Sequence, residues 1–115
     1  MAKKYSKYTK EDWEKLDGYD WRWLLINQPQ FAEHCDWEKL NGANWSWLLM
    51  EQPQFSKYCD WEKFNGYDWY NLIINQPQFV EHCDWDKFTS YDWGFLIAYQ
   101  PQFKKYKKLT ELKNG

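Results

Sequence analysis

The tetrapeptide Gln-Pro-Gln-Phe returns every 24 residues, at 28–31, 52–55, 76–79 and 100–103 of a 115-residue chain. Self-similarity at a fixed period is the signature of repeat architectures, so this feature constrains the fold more than any other. The repeat defines four units without insertions or deletions, at 11–34, 35–58, 59–82 and 83–106. Residues 1–10 and 107–115 depart from the pattern, and we expect them to cap a single repeat domain spanning 1–115.

The composition favours a folded, water-soluble chain. Aromatic residues make up 23% of the sequence, with ten Trp, although the mean hydropathy is −0.99. Disordered chains are poor in aromatic residues, so disorder is not expected. No apolar run approaches the roughly 20 residues that cross a bilayer, and the first residues lack the apolar core of a signal peptide. Three cysteines without a CxxC spacing predict reduced thiols and a cytoplasmic protein.

Charge is distributed unevenly along the chain. Residues 11–103 carry sixteen acidic and six basic side chains, whereas the basic residues are concentrated at the two ends. An acidic repeat surface repels phosphate backbones, which argues against nucleic acid there and favours a basic partner. We expect the basic ends to solubilise the termini, and contact with RNA or a membrane surface is the alternative.

Each unit is predicted to contain two short helices. The first is expected to begin after an Asp N-cap, covering about 13–17 in the first unit. A glycine is then expected at the C′ position with positive φ, and Ser90 predicts a turn in the fourth unit that is either strained or different. A second set of N-caps is predicted before the second helix. In chain order these three columns are Asp12, Asp36, Asp60 and Asp84; Gly18, Gly42 and Gly66; and Asp20, Asn44, Asp68 and Asp92.

The second helix leads directly into the Gln-Pro-Gln-Phe joint. Trp21, Leu24, Leu25 and Gln28 are spaced as one helix face. Pro29 is expected to end this helix and to begin the next short turn. The Phe of each joint should enter the core, and its two Gln side chains should satisfy backbone groups at the bend. A polar binding edge made of the Gln side chains is the alternative interpretation.

One unit is too small to bury its own aromatic side chains, so its core must come from its neighbours. The pattern therefore predicts an all-α fold, a right-handed α-solenoid of four 24-residue repeats with short helices and terminal caps. Apolar spacing of three and four rather than two excludes a β-solenoid. Asp and Gln columns are expected to accept hydrogen bonds from the buried indoles. The predicted core columns are Trp13/37/61/85, Trp21/45/69/93, Leu24/48/72/96 and Phe31/55/79/103.

The layout over residues 11–106 resembles the leucine-rich variant repeat, a 24-residue unit of alternating short helices stacked in a right-handed superhelix. In that family an Asp precedes the helix and an Asn-Pro joint follows it, and here Asp20 and Gln28–Pro29 stand in those places. The chain departs from the family by using Trp where small aliphatic residues are usual, by lacking the second Pro and by having no Cys cluster. The resemblance implies an α-solenoid and no particular activity. The regularity also leaves open an engineered or consensus-derived origin.

Two columns of reactive side chains are expected to be structural. Cys35, Cys59 and Cys83, with His34 and His82 beside two of them, recur at 24-residue intervals and so cannot converge on one metal ion. Neighbouring Glu and Lys residues, such as Glu14 and Lys15, are expected to form solvated charge rows with some pairing between repeats. No catalytic triad, phosphate-binding loop or HExxH motif is present. The sequence therefore predicts neither an enzyme nor a cofactor or metal.

The candidate ligand surface is an aromatic row on the second helices, consisting of Trp23, Trp47, Asn71 and Phe95. Each residue turns a helix by about 100°, which places this row away from the buried face. Tyr19, Tyr67 and Tyr91 precede it, and the neighbouring positions Arg22, Ser46, Tyr70 and Gly94 vary between units. Packing of the row against another layer of helix is the alternative.

The most consistent function is a non-catalytic repeat scaffold that binds a protein or peptide. A structural or designed protein without a ligand, and carbohydrate binding through exposed aromatics, are the alternatives. A terminal helix over 104–113, with Leu109 and Leu112 facing inward, is expected to cover the last repeat, and Tyr5 and Tyr8 the first. A capped stack of this kind is expected to be a monomer, and end-to-end association is the alternative.

Overall fold

A computed structural model describes residues 5–114, and side chains as far as residue 113. All regular structure in this part of the chain is helical, in repeated units that pack in sequence, which confirms the predicted all-α repeat fold. The chain divides into two compact units, Met1–Cys59 and Asp60–Gly115, called unit 1 and unit 2 here. The α-helices are α1 (Lys10–Glu14), α2 (Gly18–Asn27), α3 (Gly42–Glu51), α4 (Gly66–Asn75), α5 (Ser90–Tyr99) and α6 (Lys104–Asn114).

Short 3-10 helices connect the α-helices. The Gln-Pro-Gln-Phe joint ends each long helix as predicted, because its Pro is the first residue of the following 3-10 helix. The Gln before that Pro closes the α-helix, as where the Gln28 N–H donates to the Leu24 carbonyl at 2.6 Å. The 3-10 helices are Tyr5–Lys7, Pro29–His34, Trp37–Lys39, Pro53–Tyr58, Trp61–Lys63, Pro77–His82, Trp85–Lys87 and Pro101–Phe103.

The predicted N-caps of the long helices are wrong by three residues. Asp17 is the N-cap of α2, and its side chain accepts from the Asp20 N–H at 2.8 Å. Asp20 accepts in return from the Asp17 N–H at 3.0 Å, which completes a capping box. The same box recurs at the start of each later long helix. Its N-caps are Asn41, Asn65 and Thr89, and its returning side chains are Asn44, Asp68 and Asp92.

The glycines after these caps are not C′ residues, because no described residue has positive φ. Gly18 and Gly66 are instead the first residues of α2 and α4. A Cβ on Gly18 would collide with the Lys39 carbonyl oxygen, which belongs to the next repeat. Glycine is therefore required for close packing between repeats. The predicted strain at Ser90 is also wrong, since Ser90 is an exposed first residue of α5.

The first short helix of each 24-residue repeat is present but differs from its prediction. In the first repeat this helix is α1. Thr9 is its N-cap, so Asp12 is the third residue of the helix and not its N-cap. In the later repeats this helix is a single 3-10 turn. There the predicted N-caps Asp36, Asp60 and Asp84 are confirmed, because each accepts from the N–H two residues on.

Most of the predicted columns form the core within each unit, but Phe31 and the short-helix residues Trp37, Trp61 and Trp85 are only partly buried. Trp21 and Trp45 are fully buried in unit 1, as are Trp69 and Leu72 in unit 2. A Trp from the short helix stacks on each buried Trp, as where the Trp37 ring centre lies 5.3 Å from that of Trp45. The expected acceptors for the buried indoles are not found, because Nε1 of Trp21, Trp45 and Trp69 has no hydrogen-bond partner among the described residues.

Side chains of one repeat close the helix ends of the previous repeat. In unit 1, Lys39 Nζ donates to the carbonyls of Glu14 and Leu16, and Gln52 Nε2 donates to the Ile26 carbonyl at 2.9 Å. Lys39 therefore bonds to backbone carbonyls of the previous repeat. The Gln prediction is confirmed only for the first Gln of the joint, because Gln54 Nε2 donates to the Gln52 side chain at 2.9 Å and not to the backbone. Lys87 and Gln100 make the equivalent bonds in unit 2, to Glu62, Phe64 and Ile74.

The two caps follow their predictions only in part. Tyr5 and Tyr8 pack on Trp13, with ring centres 6.5 and 4.9 Å away, as expected, and residues 1–4 lie outside the described part. The helix predicted over 104–113 is α6, but Leu109 and Leu112 are exposed and not inward. Tyr106, the final residue of the fourth repeat, packs against the short helix of that repeat. Its ring stacks on that of Trp85 at 5.0 Å.

Candidate binding surface

The aromatic row is exposed to solvent. Trp23, Trp47 and Phe95 are 52%, 51% and 51% exposed, whereas the buried Trp of the same helices is at most 7% exposed. The helical turn of about 100° per residue explains this contrast, because positions 21 and 23 lie on nearly opposite sides of α2. The preceding tyrosines Tyr19, Tyr67 and Tyr91 are exposed as well.

Three of these side chains, Tyr19, Trp23 and Trp47, come together in unit 1, where α2 packs beside α3. Trp23 from α2 and Trp47 from α3 flank an open groove of about 330 Å³. Arg22, Ile26 and Glu51 complete its lining. The groove is largely apolar and carries one cation and one carboxylate, so it can hold an apolar group beside a polar one.

Arg22 lies within this group of rings. Its guanidinium carbon is 4.8 Å from the centre of the Tyr19 ring, 5.6 Å from that of Trp47 and 5.9 Å from that of Trp23. Rings at such distances attract the guanidinium by cation–π interaction. Its Nε is buried without a hydrogen-bond partner, and no carboxylate of the described residues pairs with it. We call Tyr19, Arg22, Trp23 and Trp47 the unit 1 face.

Unit 2 has an equivalent group with different chemistry. Tyr70 occupies the position that Arg22 has in unit 1, and its ring stacks on Phe95 with centres 5.6 Å apart and planes 13° apart. Tyr67 meets Tyr70 edge-on at 5.1 Å. Desolvation raises the pKa of Tyr70 above its usual value, and Tyr67 adds to the shift, so the phenol is neutral at physiological pH. Tyr67, Tyr70 and Phe95 are the unit 2 face, which has no cation.

Two predicted surface residues do not join these groups. Asn71 is half-buried, and its Nδ2 donates to the Tyr67 carbonyl at 3.1 Å. Its side chain is therefore bonded to the backbone of its own helix. Tyr91 is 79% exposed and contacts no other ring in the described part of the chain. Sequence reasoning did not place Arg22 and Tyr70 on the surface. Their variation between otherwise uniform units was the signal that could have identified them.

The Cys and His side chains lie in surroundings that indicate a structural role and not a catalytic or metal-binding one. Burial raises the pKa of Cys35 to about 12, with Asp36 adding to the shift, and burial raises the pKa of Cys83 as well. Both thiols are therefore protonated at neutral pH and are poor nucleophiles. His34 stacks on Trp13 with ring centres 4.6 Å apart, and His82 stacks on Trp61 at 4.8 Å. Within the described residues, no cluster of His, Cys, Asp or Glu is arranged to hold a metal ion.

Comparisons with known proteins give no assignment. No family model, curated protein or solved structure matches the chain. The resemblance to leucine-rich variant repeats and the right-handed solenoid therefore stay predictions. None of the helices in the described part combines the length and apolar character needed to cross a membrane.

Proposed function

We propose that this chain is a non-catalytic repeat scaffold whose unit 1 and unit 2 faces bind a protein or peptide. The observation that carries the proposal is the half-exposure of Trp23, Trp47 and Phe95 at one repeat position. The neighbouring Trp of each helix already supplies the core, so these rings are not needed to fill it. Exposed aromatic clusters are typical of interaction sites, where Trp, Tyr and Arg contribute most of the binding energy.

The variable positions support the same interpretation. Core columns keep the same residue type from repeat to repeat, whereas positions 22, 70 and 94 hold Arg, Tyr and Gly, and the equivalent Ser46 is buried. Repeat scaffolds acquire specificity through such variation on a constant frame. A cytoplasmic, monomeric protein with reduced thiols is part of the proposal. The raised pKa of Cys35 supports only the reduced thiols, because a protonated thiol is oxidised slowly.

The test is a selection from a random-peptide display library on the wild-type chain and on a Trp23→Ser/Trp47→Ser/Phe95→Ser variant. We expect the wild type to enrich a peptide family that the variant does not retain. A matched thermal unfolding curve for the variant shows that its core is intact. The absence of any enrichment that depends on the three rings would contradict the proposal and favour a scaffold without a ligand.

Carbohydrate binding is the second candidate, because paired Trp rings flanking a groove with Arg and Glu also suit a sugar. It is separated from peptide binding by titrating a glycan panel and following tryptophan fluorescence. A saturable change with a glycan, together with no peptide enrichment, would replace the peptide proposal.

A further inference from the structure

We propose that the unit 1 face recognises an acidic side chain, with Arg22 as the residue that binds its carboxylate and an apolar neighbour of that side chain lying between Trp23 and Trp47. This inference rests on the proposed peptide-binding function and names the chemistry of the ligand in unit 1. Arg22 is the only arginine in the chain, so a contact between a guanidinium and a ligand carboxylate can form only on the unit 1 face.

The surroundings of the Arg22 guanidinium favour a carboxylate ligand. Three aromatic rings lie within 6 Å of this guanidinium, and its Nε is enclosed without an acceptor among the described residues. A guanidinium presents five N–H donors in a planar fork that matches a carboxylate. Because Nε is enclosed, the ligand carboxylate is expected at the Nη atoms. Because this fork is planar and pre-organised, little conformational freedom is lost for each hydrogen bond formed on pairing.

The groove beside Arg22 favours an apolar residue next to the acidic one. Ile26, Trp23 and Trp47 line this groove, which suits an apolar or aromatic ligand residue next to the acidic one. Both Trp rings and Glu51 are exposed, so the groove is an open cleft that a peptide can cross rather than a pocket for a chain end.

The two acidic groups on this side of the unit set the orientation. Glu51 lines the groove and repels a carboxylate placed beside it, whereas the Asp20 carboxylate is engaged by the Asp17 N–H in the cap of α2. The ligand carboxylate is therefore expected over Arg22, with the apolar residue toward Glu51. The unit 2 face is the internal comparison, because it has the neutral Tyr70 at the position of Arg22.

The probes are two acetylated dipeptide amides that differ only in charge, N-acetyl-Asp-Phe-amide and N-acetyl-Asn-Phe-amide. Each is titrated into the full chain while the Arg22 side-chain ¹⁵N signals and the tryptophan fluorescence are recorded. With one arginine, the guanidinium signals need no assignment. We expect the Asp probe to shift both readouts with one midpoint, and the Asn probe to bind about tenfold more weakly, as expected for a charged hydrogen-bonded pair.

Two variants serve as controls. Arg22→Tyr introduces the residue that unit 2 has at this position, so the fold has precedent for it, and we expect it to bind both probes equally weakly. Arg22→Lys keeps the charge but loses the planar fork, and we expect intermediate binding. N-acetyl-Phe, with a terminal carboxylate, tests the other source of the same group and is expected to bind more weakly than the Asp probe.

Each outcome bears on the inference. Equal affinity for the Asp and Asn probes, unmoved Arg22 signals, or no binding of the Asp probe up to about 10 mM would overturn it. Tighter binding of N-acetyl-Phe would overturn the assignment to an acidic side chain. Such results would leave the proposed function standing if the library selection still recovers peptides that depend on the Trp rings.

Discussion

At the scale of single residues, two glycines of unit 2 have opposite roles that the sequence does not distinguish. Gly66 begins α4 and is buried beneath the next repeat, where a Cβ would lie 2.7 Å from the Lys87 carbonyl oxygen. Gly94 is exposed in the middle of α5, and a Cβ there would meet no heavy atom within 4 Å. The first glycine is required by packing, whereas the second only weakens its helix.

Replacing Gly66 by Ala should destabilise the protein by about 1–3 kcal/mol, because the added methyl group overpacks a close contact between two repeats. Urea unfolding measures the change. Ser90→Ala is the matched control, since Ser90 begins α5 at the same repeat position but is exposed, and it should stay within about 0.5 kcal/mol of wild type. Equal effects at the two positions would show that Gly66 is not a close contact.

Replacing Gly94 by Ala should stabilise the protein by about 0.5–1 kcal/mol, because Ala restricts the unfolded chain and favours a helix interior. Thermal unfolding should show a raised midpoint. A lowered midpoint would mean that the space around Gly94 is occupied by a neighbour.

The buried Asp68 should make stability depend on pH. Burial raises its pKa above 3.8, although the hydrogen bond from the Asn65 N–H and the nearby Lys87 oppose the shift. The folded state therefore holds this proton more tightly than the unfolded chain. As pH rises from about the ordinary Asp pKa through the raised one, this carboxyl lowers the free energy of unfolding.

The variant Asp68→Asn keeps an acceptor oxygen at the third position of α4, as Asn44 does in α3. Its free energy of unfolding relative to wild type should therefore increase as pH rises across the acid range. Denaturant unfolding at a series of pH values measures this difference. A difference that does not change with pH would contradict the raised pKa.

At the scale of the helices, most boundaries followed from local chemistry, and the errors came from choosing between two plausible caps. Pro29 and its equivalents set the ends of the long helices as predicted. The starts were misplaced because both Asp17 and Asp20 suit an N-cap, and only their three-residue spacing as a capping box decides between them. Bonds between repeats, such as those of Lys39, required the packed structure, since sequence gives no partner for a lysine.

Replacing Lys39 by Met should cost about 1–3 kcal/mol, because two backbone carbonyls at the end of the first short helix lose their charged donor. Lys15→Met is the matched control. Lys15 holds the same position in the first repeat but is exposed and has no earlier repeat to close, so its replacement should be nearly neutral. Urea unfolding of the pair measures the difference, and equal costs would contradict the proposed role.

At the scale of the whole molecule, the 24-residue period predicted the all-α repeat fold and its core columns. The period could not predict which aromatic residues form a surface group, because that depends on which helices lie side by side. Trp23 and Trp47 are 24 residues apart and flank one groove, whereas Tyr91 of the same surface set contacts no other ring among residues 5–113. Arg22 was visible only as a variable position, and its enclosure by three rings is a property of the packed unit.

The central claim is that the aromatic residues divide into a core set and a free surface set. The most direct test compares Trp45→Phe with Trp47→Phe, since both lie on α3 but are 0% and 51% exposed. We predict that Trp45→Phe costs more than about 1 kcal/mol in urea unfolding through the cavity it leaves, whereas Trp47→Phe stays within about 0.5 kcal/mol. Equal costs would make the surface row part of the architecture and would remove the residues on which the binding proposal depends.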